Sequence, residues 1–266
     1  MIRDITIGQY YPANSYIHKL DPRMKLLGTF IFIISLFISN NFYGYLVSFL
    51  FLAIVINISK VPLRFMLKGL KAIFIIIILT VVLNVFFTPG KNVLFYIGSL
   101  KVTEEGIYFA AFMAIRLIFL IIGSSILTLT TSPIQLTDGI EYSLNPLKKI
   151  RVPAHEIAMM MTIALRFIPI LLEETDKIMK AQMARGADFD TGGIVKRAKS
   201  LIPLLVPLFI SAFRRADDLA LAMEARCYRG GEGRTRMKQL RYSKYDGVAF
   251  GVLVIYLVGL VVIKIL

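Results

Sequence analysis

Long apolar runs recur from one end of the chain to the other, and they constrain the fold more than any other feature. Five of them carry few charges and approach the length of about 20 residues that a helix needs to cross a bilayer. They lie at about 26–40, 43–58, 72–87, 107–130 and 246–266. Hydrophobic residues make up 57% of the chain, whereas soluble domains average about 45–50%. We therefore expect an all-α polytopic membrane protein with about five transmembrane helices.

The net charge of +14 is spread unevenly over the segments that connect these runs. Residues 1–25, 59–71 and 131–245 hold 4, 4 and 19 Lys and Arg residues, whereas the other loops and the tail hold three. Because Lys and Arg are enriched in cytoplasmic loops, five spans with a cytoplasmic N-terminus and an outer C-terminus fit best. In a soluble protein this excess would suggest nucleic acid. Here it indicates anionic lipid headgroups, an acidic partner protein, or both.

Polar residues placed before prolines mark two helix starts. Asp21 before Pro22, and Ser132 before Pro133, each combine a good N-cap with a residue favoured at the first helical position. The second pair opens a short amphipathic helix at about 134–145. The sequence therefore predicts that one helix begins the first span and that another begins the basic segment.

Arg116 interrupts the fourth apolar run. A charge at that depth is costly and usually faces protein, so we expect Arg116 either to snorkel or to pair structurally, in preference to a transport role. Residues 93–102, in an outer loop, fit a short hairpin or an interfacial turn. The spans contain almost no acidic residues, which argues against a proton-coupled carrier.

Two long helices are expected in the basic segment 131–245, which separates a membrane domain (1–130) from a last transmembrane helix (246–266). Thirty helical residues reach about 45 Å, and Pro169 predicts a kink in the first helix. The apolar part of the second helix, 201–213, favours an interfacial or buried helix over a crossing. We expect both helices to lie at the inner membrane surface as a cytoplasmic coupling domain. Their Met, Leu and Ala faces would be covered by another protein or by this chain's own spans.

The two long helices end in near-identical tripeptides, 41 residues apart. The tripeptides are Ala184-Arg185-Gly186 and Ala225-Arg226-Cys227. The helix dipole favours an Arg at a C-terminus, which would explain one copy. Two copies flanked by small residues indicate two equivalent tips that meet two similar partners. There Arg would offer a planar fork to a carboxylate.

Several classes of chemistry have no sequence support. The chain has one Cys and two His, too few for a disulfide within the chain or for a Cys/His metal site. No Gly-x-x-x-x-Gly-Lys-Ser/Thr motif is present, so no P-loop nucleotide site is expected. Ser, His and acidic residues form no hydrolase constellation. We expect a non-catalytic protein without a cofactor of its own.

These motifs together resemble those of one family, the transmembrane T component (EcfT) of energy-coupling factor (ECF) transporters. Apart from the five-span layout, the resemblance rests on motifs across most of the chain. They are Leu20-Asp21-Pro22-Arg23-Met24-Lys25, Ala-Leu-Arg-Phe-Ile-Pro at 164–169, Phe213-Arg214-Arg215-Ala216, and the residues that end the two long helices, 181–186 and 222–228. The family pattern commonly has Gly where this chain has Cys227.

The resemblance implies a subunit of an ABC importer for vitamins or metal ions in a bacterial inner membrane. Two cytoplasmic ATPases, which bind ATP and Mg²⁺, would contact the helix tips, with Arg185 in one ATPase groove and Arg226 in the other. A membrane S component would bind the substrate and pack on the long helices and on the membrane domain. We assign to that contact Met160, Met161, Ala164, Leu165, Pro169, Leu204 and Pro207. Two alternatives stay open: a self-contained secondary carrier or channel, and a conventional ABC permease that binds substrate itself.

Overall fold

The computed structural model describes residues 10–39, 41–90, 92–97, 100–150, 152–187, 189, 193–231 and 240–265. The first nine residues of the polar lead lie outside the described residues. The chain divides into two compact units. We call residues 9–139 together with 239–266 the membrane unit, and residues 140–238 the long-helix unit.

The described chain is almost entirely helical, as the sequence predicts. The helices are α1 Tyr16–Lys19, α2 Pro22–Ile38, α3 Phe42–Ser59, α4 Leu63–Phe87, α5 Glu104–Thr130, α6 Pro133–Leu144, α7 Ala154–Ala184, α8 Ile194–Ala225 and α9 Lys244–Ile265. A 3₁₀ helix, Asn145–Ile150, follows α6. Strands β1 Val93–Ile97 and β2 Leu100–Thr103 form the antiparallel hairpin that was one of the two alternatives for this loop.

Both predicted helix starts are confirmed. The Asp21 carboxylate accepts the backbone N–H of Arg23 at 2.9 Å, and Pro22 is the first residue of α2. At α6, the Ser132 hydroxyl accepts the N–H of Gln135 and the Gln135 side chain accepts the N–H of Ser132. This reciprocal pair is a capping box, which satisfies two of the backbone donors that a helix start leaves free.

The third span begins earlier than its apolar run. Three of the four basic residues expected in a loop before residue 72 lie instead on the first turns of α4, whereas Lys60 caps the end of α3. Helix α4 bends by 60° between Leu63–Lys71 and Ile73–Phe87. The spacing of Arg64, Lys68 and Lys71 places them near one side of a helix. A helix in this charged segment satisfies the backbone N–H and C=O groups while the basic side chains stay in contact with water.

Among the described residues, length and composition pick out four candidate membrane spans, α3, α5, α7 and α9, and a fifth if the two halves of α4 are one span. Helix α2 has 17 residues and reaches about 26 Å, slightly less than the hydrocarbon core of about 30 Å. The presence of α7 among the candidates differs from the sequence expectation, which gave more weight to Arg166 and Pro169. Helix α8 is not among the candidates, as its short apolar part predicts.

Aromatic residues build the core of the membrane unit. The ring of Tyr256 in α9 stacks on Phe51 in α3, with centroids 4.3 Å apart. Its hydroxyl hydrogen-bonds Ser35 in α2 at 2.6 Å and Ser48 in α3 at 3.1 Å. One side chain thus ties three helices through apolar contact and satisfied polar groups, which is necessary because an unpaired buried hydroxyl is costly.

Arg116 is held inside the membrane unit by protein groups. Its Nε donates to the Tyr45 hydroxyl at 2.9 Å and its guanidinium to the Ser39 carbonyl at 3.3 Å. The guanidinium carbon also lies 5.4 Å from the centre of the Phe37 ring, within cation–π distance. The predicted structural pairing of this charge is confirmed.

Two carboxylates join the start of α2 to the start of α9. Asp246 accepts the N–H of Asp21 at 2.8 Å and the N–H of Ser243 at 2.6 Å, and it is 3% exposed. Asp21 in turn accepts the Arg23 side chain at 2.9 Å. Burial by itself raises the pKa of Asp21, but the hydrogen bonds from Arg23 outweigh burial and hold that pKa below its ordinary value.

Replacing Gly123 by Val is expected to destabilise the membrane unit. A Cβ at Gly123 would lie 2.6 Å from Cε1 of Phe32, which is 3% exposed and would have to shift. Overpacking of this kind costs about 1–3 kcal/mol, so the thermal midpoint in detergent should fall. Gly251→Val is the control, since nothing lies within 4 Å of its added Cβ. Equal midpoints for the two variants would contradict the expectation.

Candidate functional site

The two helices of the long-helix unit form where the sequence predicts them. Helix α7 has 31 residues and begins after Pro153, and α8 has 32 residues and begins after Gly193. Both contain internal proline, Pro169 in α7 and Pro203 and Pro207 in α8. Because both helices continue for three or more turns beyond their last proline, their C-terminal parts are uninterrupted helix.

A polar contact joins α7 to α8. The Glu174 carboxylate accepts the Arg215 guanidinium at 2.7 Å and the Ser211 hydroxyl at 2.7 Å. The ion pair is partly exposed, 40% for the Arg215 side chain, so it contributes little stability by itself. The contact instead sets the register of the two helices, because it determines which turn of α7 faces which turn of α8.

This contact also explains why the two tripeptides are 41 residues apart in the sequence. Glu174 and Arg215 are themselves 41 residues apart. From the contact, α7 continues 11 residues to Arg185 and α8 continues 11 residues to Arg226. At 1.5 Å per residue each segment is about 16 Å long. We call these segments the arms. The 41-residue spacing of the tripeptides therefore follows from two arms of equal length beyond one shared contact.

The first tip, residues 184–186, ends α7 in a Schellman motif. The N–H of Ala187 donates to the Gln182 carbonyl and the N–H of Gly186 donates to the Met183 carbonyl, each at 3.0 Å. Gly186 adopts a left-handed conformation with φ of 87°. This is the usual reason for glycine just after a helix, because a residue without Cβ enters that region at no steric cost.

The second tip, residues 225–227, repeats the same hydrogen bonds. The N–H of Tyr228 donates to the Met223 carbonyl at 3.0 Å and the N–H of Cys227 donates to the Glu224 carbonyl at 2.8 Å. Cys227 occupies the glycine position with φ of 53°. The departure noted in the sequence thus leaves the backbone motif intact, although a side chain there has a steric cost.

Both tips present an arginine at the helix end. Arg185 and Arg226 are the C-cap residues of α7 and α8, and both are exposed. Within the part of the chain that the structure describes, neither guanidinium has a hydrogen bond or an ion pair. Two forked cations on equivalent backbone ends are therefore available to a partner.

The second tip has an anchor that sequence reasoning missed. The Tyr228 hydroxyl lies 3.5 Å from Nε2 of His155, at the start of α7, and Nδ1 of His155 lies 3.0 Å from Glu141 in α6. Gly231 packs so closely on the His155 ring that a Cβ there would lie 2.6 Å from it. In the sequence, the only sign of this contact is Gly231, a glycine in a segment that no predicted helix or strand follows.

The seven residues assigned to the S-component contact do not share one environment. Met160 is 60% exposed, and Ala164 and Pro169 are also exposed. Leu204, at 5% exposure, is buried and offers no surface in this conformation. The remaining three, Met161, Leu165 and Pro207, are half-buried.

Helix α8 carries a larger apolar surface within the apolar part, 201–213, that the sequence predicts. Its members share high exposure and recur about every four residues, mostly as adjacent pairs, which places them on one side of the helix. They are Leu201, Ile202, Leu205, Val206, Phe209, Ile210 and Phe213. An exposed apolar stripe of this length marks a surface that contacts lipid or another protein.

Replacing Cys227 by Gly is expected to stabilise the second tip. The left-handed conformation costs a residue with a Cβ about 1–2 kcal/mol, and glycine avoids this cost. Glycine also loses more conformational entropy on folding, which offsets about 0.5–1 kcal/mol of the stabilisation. Protection of the Tyr228 N–H against hydrogen exchange should rise about threefold. The opposite change at the first tip, Gly186→Ala, should lower protection of the Ala187 N–H. A fall in protection for Cys227→Gly would contradict this interpretation.

Comparisons with known proteins bear on the whole chain. Residues 13–237 match a family model described as a cobalt transport protein, CbiQ. The chain is 63% identical over 250 residues to the energy-coupling factor transporter transmembrane protein EcfT of Clostridium kluyveri, covering 94% of this chain and 93% of that relative. It is 50% identical over 246 residues to the EcfT protein of Bacillus subtilis, covering 92% and 93%.

Proposed function

The chain belongs to the EcfT family of energy-coupling factor transporter transmembrane proteins, and on that premise we propose that it links two cytoplasmic ATPases to a substrate-binding S component. It is a multi-pass membrane component of a transporter and is not itself catalytic. ATP and Mg²⁺ would be bound by the ATPases, and the chain would hold no cofactor. The cargo, vitamins or metal ions, would be selected by the S component.

The observation that carries this proposal is the pair of matched tips. Two helices that share one contact end in the same hydrogen-bonded motif, each with an exposed arginine. A helix end needs one cap, and its dipole favours a cation, but neither requirement makes two arms equal in length. Equal arms and equal ends are what two similar partner subunits would require.

Arginine suits the proposed contact with the ATPases. A guanidinium can make two parallel hydrogen bonds to a carboxylate, and such charge-assisted pairs are about twice as strong as neutral ones. Arg185 would enter a groove on one ATPase and Arg226 a groove on the other. The small residues on both sides of each arginine would let the helix end approach the groove wall closely.

The proposed coupling path runs along α7 and α8. The Glu174–Arg215 contact connects the two arms, so displacement of one tip would be felt by the other. The S component would pack on accessible apolar residues of these helices, such as Met160 and Pro169, and on the α8 stripe. This arrangement would pass motion from the tips to a membrane partner.

The proposed placement is the inner membrane of a bacterium, with the N-terminus in the cytoplasm and the C-terminus outside. It rests on the Lys and Arg excess of residues 1–25, 59–71 and 131–245. The tips would then lie on the same side as ATP. Although α7 is long and apolar enough to cross a bilayer, we propose that it belongs to the cytoplasmic coupling domain, because the segments on both sides of it are basic.

A self-contained carrier is the main competing function. It would need polar groups along a path through the membrane unit, and Arg116, the strongest candidate, is held by Tyr45 and Ser39. A conventional permease would need its own substrate pocket. Neither alternative explains two matched tips.

Co-purification tests the proposed assembly. The full chain, affinity-tagged and expressed in its host, is extracted in mild detergent, and the retained proteins are identified. Two P-loop ATPases and a small hydrophobic membrane protein are expected in defined ratios. A chain that purifies alone and binds the transported substrate by itself would instead support the permease.

A further inference from the structure

The membrane unit contains an apolar cleft of about 510 Å³. It lies between the first half of α2, the last turns of α3 and α5, and the first half of α9, with α1 beside its mouth. Its volume falls within the range of about 300–1,000 Å³ that is typical of ligand sites. Unlike most such sites, it is lined almost entirely by apolar side chains. The occupant must therefore be mainly hydrocarbon.

Small residues and fixed aromatic rings keep the cleft open. Gly28 and Ala249 line it from α2 and α9, where larger side chains would occupy the space. Phe32 and Phe51 form part of its wall, with ring centroids 5.8 Å apart. Phe32 is held against Gly123, and Phe51 stacks on Tyr256. Because these rings are fixed from behind, the cleft cannot easily close by rearranging them.

The cleft is adjacent to surface that faces hydrocarbon in a membrane protein. Ile54 and Val248 both line it and are 52% and 67% exposed. Apolar residues with this exposure on membrane helices meet lipid chains or a protein partner. An acyl chain of the bilayer therefore has direct access to the cleft from the side.

One end of the cleft is polar. Lys25 lines it, and its ammonium donates to the carbonyls of Thr130 at 2.9 Å and His18 at 3.2 Å. At the mouth, the rings of Tyr16 and Tyr245 pack with centroids 5.6 Å apart. Tyrosines at the boundary between apolar and polar surface are typical of the headgroup level of a bilayer.

Among the residues that the structure describes, the mouth also has a positive charge that nearby carboxylates do not offset. Asp21 and Asp246 are buried and are already balanced by Arg23 and Lys25. Lys19 and Lys244 are exposed, and they directly precede Leu20 and Tyr245, which line the cleft. An anionic headgroup at this point would meet two lysines.

We propose that the cleft binds one anionic phospholipid of the surrounding bilayer, with an acyl chain between α2, α3, α5 and α9 and its phosphate near Lys19 and Lys244. The apolar lining selects the chain, the two tyrosines set its depth, and the lysines select the headgroup charge. In the proposed orientation this lipid belongs to the cytoplasmic leaflet. The site does not involve the tips, so it is independent of the proposed coupling function.

Native mass spectrometry of the full chain tests this site. The chain is stripped of lipid and exchanged into mixed micelles that contain equal amounts of phosphatidylglycerol and phosphatidylcholine with the same acyl chains. Each lysine near a membrane surface contributes about fivefold to the binding of an anionic lipid, so two should give about a thirtyfold preference for phosphatidylglycerol. One retained phosphatidylglycerol per chain is expected. Equal retention of the two lipids would overturn the proposal.

Two sets of variants separate the headgroup from the chain. Lys19→Gln with Lys244→Gln should abolish the preference, whereas Lys68→Gln with Lys264→Gln, equal in charge but away from the mouth, should keep it. Ala249→Phe fills the cleft and should remove the retained lipid. Its control is Val254→Phe on the same helix, which lies outside the cleft and is 40% exposed.

The outcomes are interpretable even if Ala249→Phe fails to fold, because the lysine variants change only exposed side chains. Retention by Ala249→Phe equal to that of the native chain, or an unchanged preference in the lysine variant, would overturn the site. So would a protein subunit that fills the cleft and excludes lipid. Co-purification of ATPases by the lysine variant should be unchanged, so failure of the lipid site and failure of the coupling function are distinguishable.

Discussion

Replacing Arg185 and Arg226 together by Glu is expected to abolish both retention of the two ATPases and ATP-dependent uptake. Each substitution removes a forked cation and places an anion where the partner would offer a carboxylate. Loss of one partner of a buried charge pair costs about 2–5 kcal/mol, and one such loss weakens binding by about thirtyfold or more. With both tips altered, no specific contact would remain to hold either ATPase.

The single variants should each keep part of the function, because each tip would have its own partner. Retained ATPase is quantified on the purified complex, and uptake is measured in cells. A charge-matched control is Lys180→Glu with Arg214→Glu, since both residues are exposed and lie on the same helices below the tips. Equal losses in this control would mean that overall charge, and not the tips, holds the ATPases.

Replacing Asp246 by Ala is expected to destabilise the membrane unit, by about 1–3 kcal/mol for each buried donor that loses its acceptor. The substitution leaves the N–H groups of Asp21 and Ser243 without their acceptor. It also removes the carboxylate that partly offsets the Lys25 charge. The thermal midpoint of the purified chain in detergent should fall sharply.

Asp246→Asn is the matched variant, since it keeps one acceptor oxygen and the shape of the side chain. It should lose less stability than Asp246→Ala. A surface control is Ile255→Ala, because Ile255 lies on the same helix and is 73% exposed. If Asp246→Ala unfolds at the native midpoint, the link between α2 and α9 does not stabilise the unit.

Features set by neighbouring residues could be predicted from the sequence. Asp21 before Pro22 and Ser132 before Pro133 specify caps through contacts of two or three residues, and both caps form. The ends of α7 and α8 were predicted for the same reason. The pairing of Arg116 was one of two expectations, because a charge in an apolar run must either reach the interface or find a partner, although Tyr45 and Ser39 could not be named as that partner.

Features that depend on distant residues were missed. The anchor of the second tip joins Tyr228 to His155, 73 residues apart, and the link at Asp246 joins residues 225 apart. The burial of Leu204 and the cleft between α2, α3, α5 and α9 likewise depend on how helices pack. A hydrophobic pattern indicates that a face is apolar, but it does not identify what covers that face.

The equal lengths of the two arms give the 41-residue spacing of the tripeptides a mechanical interpretation. In the sequence, the two arginines are related only by their spacing. In the fold, the same spacing relates Glu174 to Arg215, so both tips lie the same number of turns beyond one contact. Under the proposed function, two similar ATPases would move two similar arms that are joined at that contact.

Uptake by a defined, reconstituted system tests the coupling function most directly. The chain is placed in vesicles with or without its co-purifying S component and two ATPases, and entry of labelled substrate is measured with and without ATP on the ATPase side. We predict uptake only when all the subunits and ATP are present. Uptake by the chain alone, without ATP, would contradict the coupling function and establish a self-contained carrier.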